Sequence, residues 1–446
     1  MSSTELHAFL ARYPDVEFIH FHYQTNSGTT ASHCVPKGRC ISLAAANSPL
    51  RVSTLTLIGL CPWKALPNRS ISGYDCLHPD WTSLCHLGTG GEASVLCDVS
   101  EQDDIFLRCP RRALRQTASL GAETLGLDFL LGVEIEFYLV DAADRLKFEI
   151  PAGFRPVQKH AGALLGKPGL CLRQCVSRLQ KAGILVEGFH ACGGPGQFEI
   201  ATGPLSPLAA ADALVQSLEI IRRCAQDHGL LAVFLPQPFE KAETSGMHMH
   251  LSVRRLNAAP VGTEAADSFM AGVLRHLPAL AALGMPYEMS YARLQDVAAG
   301  RWVAWGLENK DVPVRLIAGD SERMDSVPRW EFRAIDATAN IYLAAAGYIA
   351  AGILGIQDKA QLTMDNSTEI LSTVEPDVLF KRGITTKMPE SLDQALDALD
   401  AGHSTALRSS IGCQVIASYV ANKRGEQMAL RDLSRNELLA QMYPLF

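Results

Sequence analysis

Four segments of this chain place chemically active side chains two residues apart, and that spacing limits the fold more than any other feature. Successive side chains of an extended strand point to opposite faces, so residues i and i+2 share one. In 132–140 (GVEIEFYLV), Glu134, Glu136 and Tyr138 share a face, and Ile135, Phe137 and Leu139 share the other. Gln197 pairs with Glu199 in 196–200 (GQFEI), and His248 with His250 in 246–252 (GMHMHLS). Glu331 pairs with Arg333 in 329–333 (RWEFR). One such strand alone fits a sheet with a solvated polar face, which antiparallel sheets often have. Four together predict faces that line one cavity. Carboxylates converging there repel unless a cation or protons intervene. Oxygen-rich sites with an imidazole suit Mg²⁺ or Mn²⁺. Arg293, Arg315 and Arg333 would then partner carboxylate or phosphate.

The chain's 446 residues exceed the usual single domain of about 100–200 residues. Its first hundred residues hold short β-prone stretches, Val16–His22 and Thr54–Leu60, between Gly, Pro, Asn and Ser. Asp98–Arg111 is a polar connector with a proline, which predicts a boundary between 1–105 and 106–446. Beyond it, helical periodicity covers Arg112–Leu125, Leu170–Ala182, Leu208–His228, Ala265–Leu283 and most of Leu392–Phe446. Strands are expected at Leu130–Val140, Gln197–Ala201, Leu230–Phe234 and Met247–Val253, so the expected class is α+β. The apolar run Ile341–Ile356 is shorter than the roughly 20 residues of a membrane span and reads as a buried helix.

Forty basic against 47 acidic residues give a net charge of −7, which disfavours nucleic acid as the main partner. The N-terminus lacks the pattern of a secretory signal. The expectation is a cytoplasmic protein without a membrane partner, whose twelve cysteines are reduced. Cys171 and Cys175 are expected to be buried small hydrophobes.

The ordered set of motifs resembles the glutamine synthetase family across nearly the whole chain: E-x-E-F, then G-P-G-Q-F-E-I, S-G-M-H-x-H-L-S, W-G-x-x-N-K and x-E-x-R with N-x-Y-L. The resemblance implies a β-grasp-like N-terminal domain and a catalytic domain with a curved antiparallel sheet. It implies homo-oligomeric rings, decamers or dodecamers, with active sites between neighbours. It implies ATP and divalent cations used to phosphorylate a carboxylate, followed by displacement by an amine. Matched position by position, it assigns Glu134, His248 and Glu331 to the cation on the ATP phosphates, and Glu136 and Glu199 to a second cation nearer the carboxylate. It assigns His250, Arg293 and Arg333 to the substrate, Arg315, Arg333 and Lys310 to catalysis, and Ser252 with Arg315 to the nucleotide.

The departures are as informative. The family's third carboxylate for the second cation falls seven or eight residues before Glu199, where Cys192 and Ala191 stand. Cys192 or His190 as a replacement would soften that site toward zinc or manganese. Thr25 stands for the aspartate that helps deprotonate ammonium in a neighbour's site, and Ala31 for an arginine. Lys310 keeps the charge of the family's arginine without its fork. Glu243 precedes the histidine strand in place of an uncharged turn. The expected activity is ATP-dependent ligation of a carboxylate, glutamate or an analogue, to an amine other than ammonia. An ATP-independent metal enzyme and a non-catalytic scaffold are the alternatives.

Overall fold

The computed structural model describes residues 2–60, 72–88, 90–101, 105–143, 161–294, 299–318 and 328–446. Among the described residues, six strands precede residue 101: β1 Phe18–Gln24, β2 Thr30–Pro36, β3 Leu50–Ser53, β4 Tyr74–Pro79, β5 Cys85–His86 and β6 Glu92–Ser100. They form one sheet in the order β2-β1-β6-β4-β3, with β5 also on β6 and with β1 parallel to β6. Ile19, Phe21, Val95 and Trp81 fill the core beneath helices Ser2–Arg12 and Lys37–Ala45. The strand expected at Thr54–Leu60 is absent, and Leu50–Ser53 is the strand instead. Leu55 adopts a left-handed φ of 71°, and Asp75 accepts a 3.0 Å bond from the Thr56 amide. A side-chain-to-backbone bond in a turn thus overrides β propensity.

The two ends of the connector, 98–100 and 109–111, are buried. Asp98 to Ser100 complete β6, and Pro110 opens helix Pro110–Leu125 at its first turn, where a missing N–H is harmless. Arg111, buried in that turn, binds Asp212 at 2.9 and 2.6 Å, Asp98 at 2.9 Å and Asp80 at 2.7 Å. Asp98 lies on β6 and Asp80 directly follows β4, while Asp212 lies on helix Pro207–Asp227 and accepts a further 2.7 Å bond from Tyr342.

The second sheet holds β7 Leu127–Asp141, β8 Val186–Ala191, β9 Gln197–Thr202, β10 Leu230–Val233, β11 Met247–Arg255, β12 Trp305–Leu307, β13 Val314–Ile317 and β14 Arg329–Phe332. Its order is β12-β13-β14-β11-β7-β9-β8, with β10 also on β7, and among the described residues only β12 and β13 pair in parallel. It curls into a half-barrel in an α+β architecture. The outer face of β7 (Phe129, Leu131, Val133, Ile135, Phe137 and Leu139) packs into the main core beneath the helices.

Ile341–Gln357 is a helix, buried along nearly its whole length against helix Thr263–Gly284. Among the described residues no helix is long and apolar enough to cross a membrane. Cys171 and Cys175 are both fully buried. Where the two helices meet, a Cβ on Gly352 would stand 2.0 Å from the Phe269 ring. Gly352→Ala is therefore expected to cost about 1–3 kcal/mol through overpacking. The urea midpoint checks this, and an unchanged midpoint would mean the Phe269 ring can step aside.

Candidate active site

Strand register turns the paired motifs into three cross-strand rows on the inner face. His250 lies opposite Glu331, and Glu331 opposite Arg315. His248 lies opposite Glu134. Glu199 lies between Glu136 on β7 and His190 on β8. Directly opposed residues have Cβ atoms about 4.5–5.5 Å apart, close enough for side chains to meet.

The first two rows merge into one cluster. Glu134 Oε1 lies 3.0 Å from His250 Nε2, and its Oε2 lies 3.2 Å from His248 Nδ1. His248 Nδ1 is also 3.4 Å from Glu331 Oε1. Ligand atoms of Glu134, His250 and Glu331 all lie within 4.8 Å of one another. Glu331 accepts a 2.7 Å bond from Arg315 and another from Arg333. Burial alone would raise the Glu331 carboxyl, but the charges of His248 and Arg333 prevail and draw it down to about 2. Burial likewise opposes ionisation of Glu134, yet hydrogen bonds from both histidines hold it well below the usual carboxylate range. Two ionised carboxylates with imidazoles are a donor set that fits Mg²⁺ or Mn²⁺, with Arg315 and Arg333 beside it for phosphate or carboxylate oxygens.

The expected site residues outside this cluster fall in different places. Arg293 is fully buried and donates to the carbonyls of Ile335 and Arg333, both at 2.8 Å, with His248 Nε2 3.5 Å away. Its guanidinium thus holds the backbone behind His248 and Arg333. Gly246 permits this approach, since a Cβ there would stand 2.5 Å from Arg293 Nη2 and 2.6 Å from His248 Nε2. Ser252 lies further along β11, opposite Leu130 and Arg329. Lys310 is exposed in the turn after β12. Glu136 accepts a 2.5 Å bond from the Gly246 amide.

Thr25 is buried in the β1–β2 turn and bonded to Thr29 at 2.8 Å. That turn is tied to its own chain. Asn340 donates to the Thr25 carbonyl at 2.9 Å, and Tyr287 donates to the Ser27 carbonyl at 2.9 Å. Gly28, with φ 87°, sits so close to Thr338 that a Cβ would meet its carbonyl oxygen at 1.9 Å.

Glu308 is the site residue that sequence reading misses. Its Oε2 lies 3.0 Å from Arg315 Nε, and its Oε1 accepts a 2.7 Å bond from the Ala318 amide. Arg315 is thereby held between Glu308 and Glu331 and aimed along the cluster. Glu308 adopts φ 53°, unusual for a residue other than glycine, and no spacing rule in the sequence points to it. Glu243 is exposed, and its side chain lies over Gly193 in the β8–β9 turn.

A family model for the glutamine synthetase catalytic domain matches residues 107–440. The gamma-glutamylpolyamine synthetase GlnA3 of Streptomyces coelicolor is 31% identical over 375 residues, covering 82% of this chain and 79% of that protein. Protein fluG of Emericella nidulans is 28% identical over 458 residues, covering 99% of this chain, which spans 51% of fluG's length. A solved structure described as a novel glutamine synthase homolog superposes with a TM-score of 0.77 at 26% identity, covering 97% of this chain and 99% of the other. GmaS without ligand superposes with a TM-score of 0.80 at 23% identity, covering 96% and 97%, a likeness of fold alone.

Proposed function

The chain belongs to the glutamine synthetase family, and from that premise we propose that it is an ATP-dependent ligase joining a carboxylate, glutamate or an analogue, to an amine other than ammonia. The observation that carries this reading is a contrast between two sets of residues. The fold brings together Glu134, His248, His250 and Glu331 with Arg315 and Arg333, while Thr25, neutral and buried, stands where the resemblance expects the aspartate of the ammonium site. The name of the relative GlnA3 supports a larger amine, and the exposed Glu243 carboxylate suits a cationic one.

In the proposed reaction the substrate carboxylate attacks the γ-phosphorus of ATP, the bond to the β-phosphate oxygen breaks, and an acyl phosphate forms. The amine nitrogen then attacks the acyl carbon, phosphate leaves, and the nitrogen loses a proton. Glu134, Glu331 and the histidines would hold Mg²⁺ or Mn²⁺, which neutralises charge on the phosphates when bound. Arg315, held by Glu308, would bind the transferring phosphoryl oxygens, and Arg333 would orient the carboxylate. Thr25 cannot act as a base, so the proton that the amine nitrogen sheds passes to the departing phosphate or to water. The proposal includes a cytoplasmic ring of identical subunits.

Calorimetric titration of ATP with Mg²⁺ and then Mn²⁺ tests the nucleotide half. Binding should require the cation and weaken at least tenfold in Glu134→Gln, which keeps the side chain's shape. No binding with either cation would sink the ligase reading and favour the metal-only or scaffold alternatives. Release of ADP dependent on an added amine, screened across polyamines and monoamines, tests the other half.

A further inference from the structure

We propose that the third row of the inner face is a cation site of different chemistry, in which His190, Cys192 and Glu199 bind a zinc-class divalent cation instead of Mg²⁺. The family resemblance leads one to expect an all-carboxylate set here, and the residues present do not fit one.

Strand geometry brings the three donors together. The Cys192 amide donates to the Gln197 carbonyl at 2.9 Å, carrying the β8–β9 ladder one residue beyond β8. Cys192 therefore follows His190 onto the inner face at a spacing of two. Ala191 between them packs into the main core. His190 is the direct cross-strand partner of Glu199, and its Nε2 lies 3.2 Å from Glu199 Oε1. One imidazole nitrogen, the thiol sulfur and one carboxylate oxygen all lie within 4.8 Å of one another. Zinc bonds of about 2.0–2.3 Å in tetrahedral geometry set such atoms roughly 3.3–3.8 Å apart, so a closure of about 1 Å completes the set.

The ring orientation fits the same reading. His190 Nδ1 lies 3.2 Å from the Ala191 carbonyl, which leaves Nε2 turned to Glu199. A histidine anchored through one nitrogen to a backbone carbonyl, with the other turned to the metal, is the usual ligand geometry. Mg²⁺ prefers oxygen ligands in near-octahedral array, whereas thiolate with imidazole selects zinc. Three protein ligands leave a fourth position for a substrate oxygen or water, beside Glu136 in the same row.

The proposal needs neither ATP nor ligase activity, so its test uses metal alone. The whole protein, stripped with a chelator, is titrated with Co²⁺, which reports a sulfur ligand through a thiolate-to-cobalt absorption band. The band should appear, yield to Zn²⁺ but not to a large excess of Mg²⁺, and vanish in Cys192→Ala. Cobalt binding without the band would overturn the proposal. So would a band that survives in Cys192→Ala, which would assign it to another thiol such as the exposed Cys34 or Cys413. X-ray absorption at the zinc edge of the unaltered protein decides the matter even if the variant does not fold. One sulfur in the coordination shell is expected, and nitrogen and oxygen alone would overturn the proposal. A cobalt–thiolate band in a protein that fails to bind ATP would leave this site standing and remove only the ligase reading.

Discussion

Arg111→Ala is expected to cost about 3–5 kcal/mol of folding stability, because removing one member of a buried charge cluster strands the others. Arg111 is only 3% exposed and donates to Asp80, Asp98 and Asp212 together. The substitution leaves those carboxylates with fewer counter-charges, and Asp98 keeps only Arg115 among the cations described. The loss should fall on the junction between the two sheets, since Asp98 lies on β6 of the first and Asp80 directly follows its β4, while Asp212 lies on a helix behind the second. Urea unfolding followed by tryptophan fluorescence measures it. A loss below about 1 kcal/mol, the range of an exposed pair, would show that water reaches the cluster. The pH dependence has a definite sign. Burial opposes ionisation of Asp80, yet hydrogen bonds from Thr82 and Arg111 bring its carboxyl below the ordinary value. Its contribution is thus present above the unfolded pKa of about 3.9 and lost as pH falls through the lower folded value. Arg111→Ala should flatten the acid limb of the stability curve.

On the proposed function, Glu331→Ala is expected to abolish cation-dependent turnover, a loss of at least about 100-fold, since it would remove a cation ligand and the charge that fixes two arginines. The side chain is fully buried and holds both Arg315 and Arg333. Stability should fall by about 3 kcal/mol for the same reason as at Arg111. Glu331→Gln separates the two effects: most of the packing returns, and turnover does not. Because the folded carboxyl sits near 2 against an unfolded value of about 4.3, the wild-type contribution persists above pH 4.3 and is lost as pH falls toward 2. Turnover in Glu331→Gln within tenfold of the parent would remove Glu331 from the catalytic cluster.

Much of the site was legible in the sequence because strand periodicity is local. A spacing of two puts Glu134 with Glu136, and His248 with His250, on one face whatever surrounds them, and the alternating apolar residues name the core face. The long helices were legible for the same reason, whereas Thr54–Leu60 was not, because a bond from the Thr56 amide to Asp75, 19 residues away, decides it.

Tertiary structure alone decided the rest. Cross-strand register depends on partners far apart in the chain, so only the folded sheet sets His250 opposite Glu331 and His190 opposite Glu199. It also resolved the choice between two neighbouring positions. Ala191 faces the core and Cys192 the cavity, because the Cys192 amide extends the ladder to Gln197. Arg293 reads from sequence as a partner for carboxylate or phosphate, and the fold sets it against the carbonyls of Ile335 and Arg333; Glu308 emerges only because the β12–β13 connection folds it onto Arg315. By itself the sequence determined which side chains share a strand face, since that follows from backbone geometry within a few residues. Which faces meet, and which charges pair across them, was decided by long-range packing, where burial leaves few partners for each polar group.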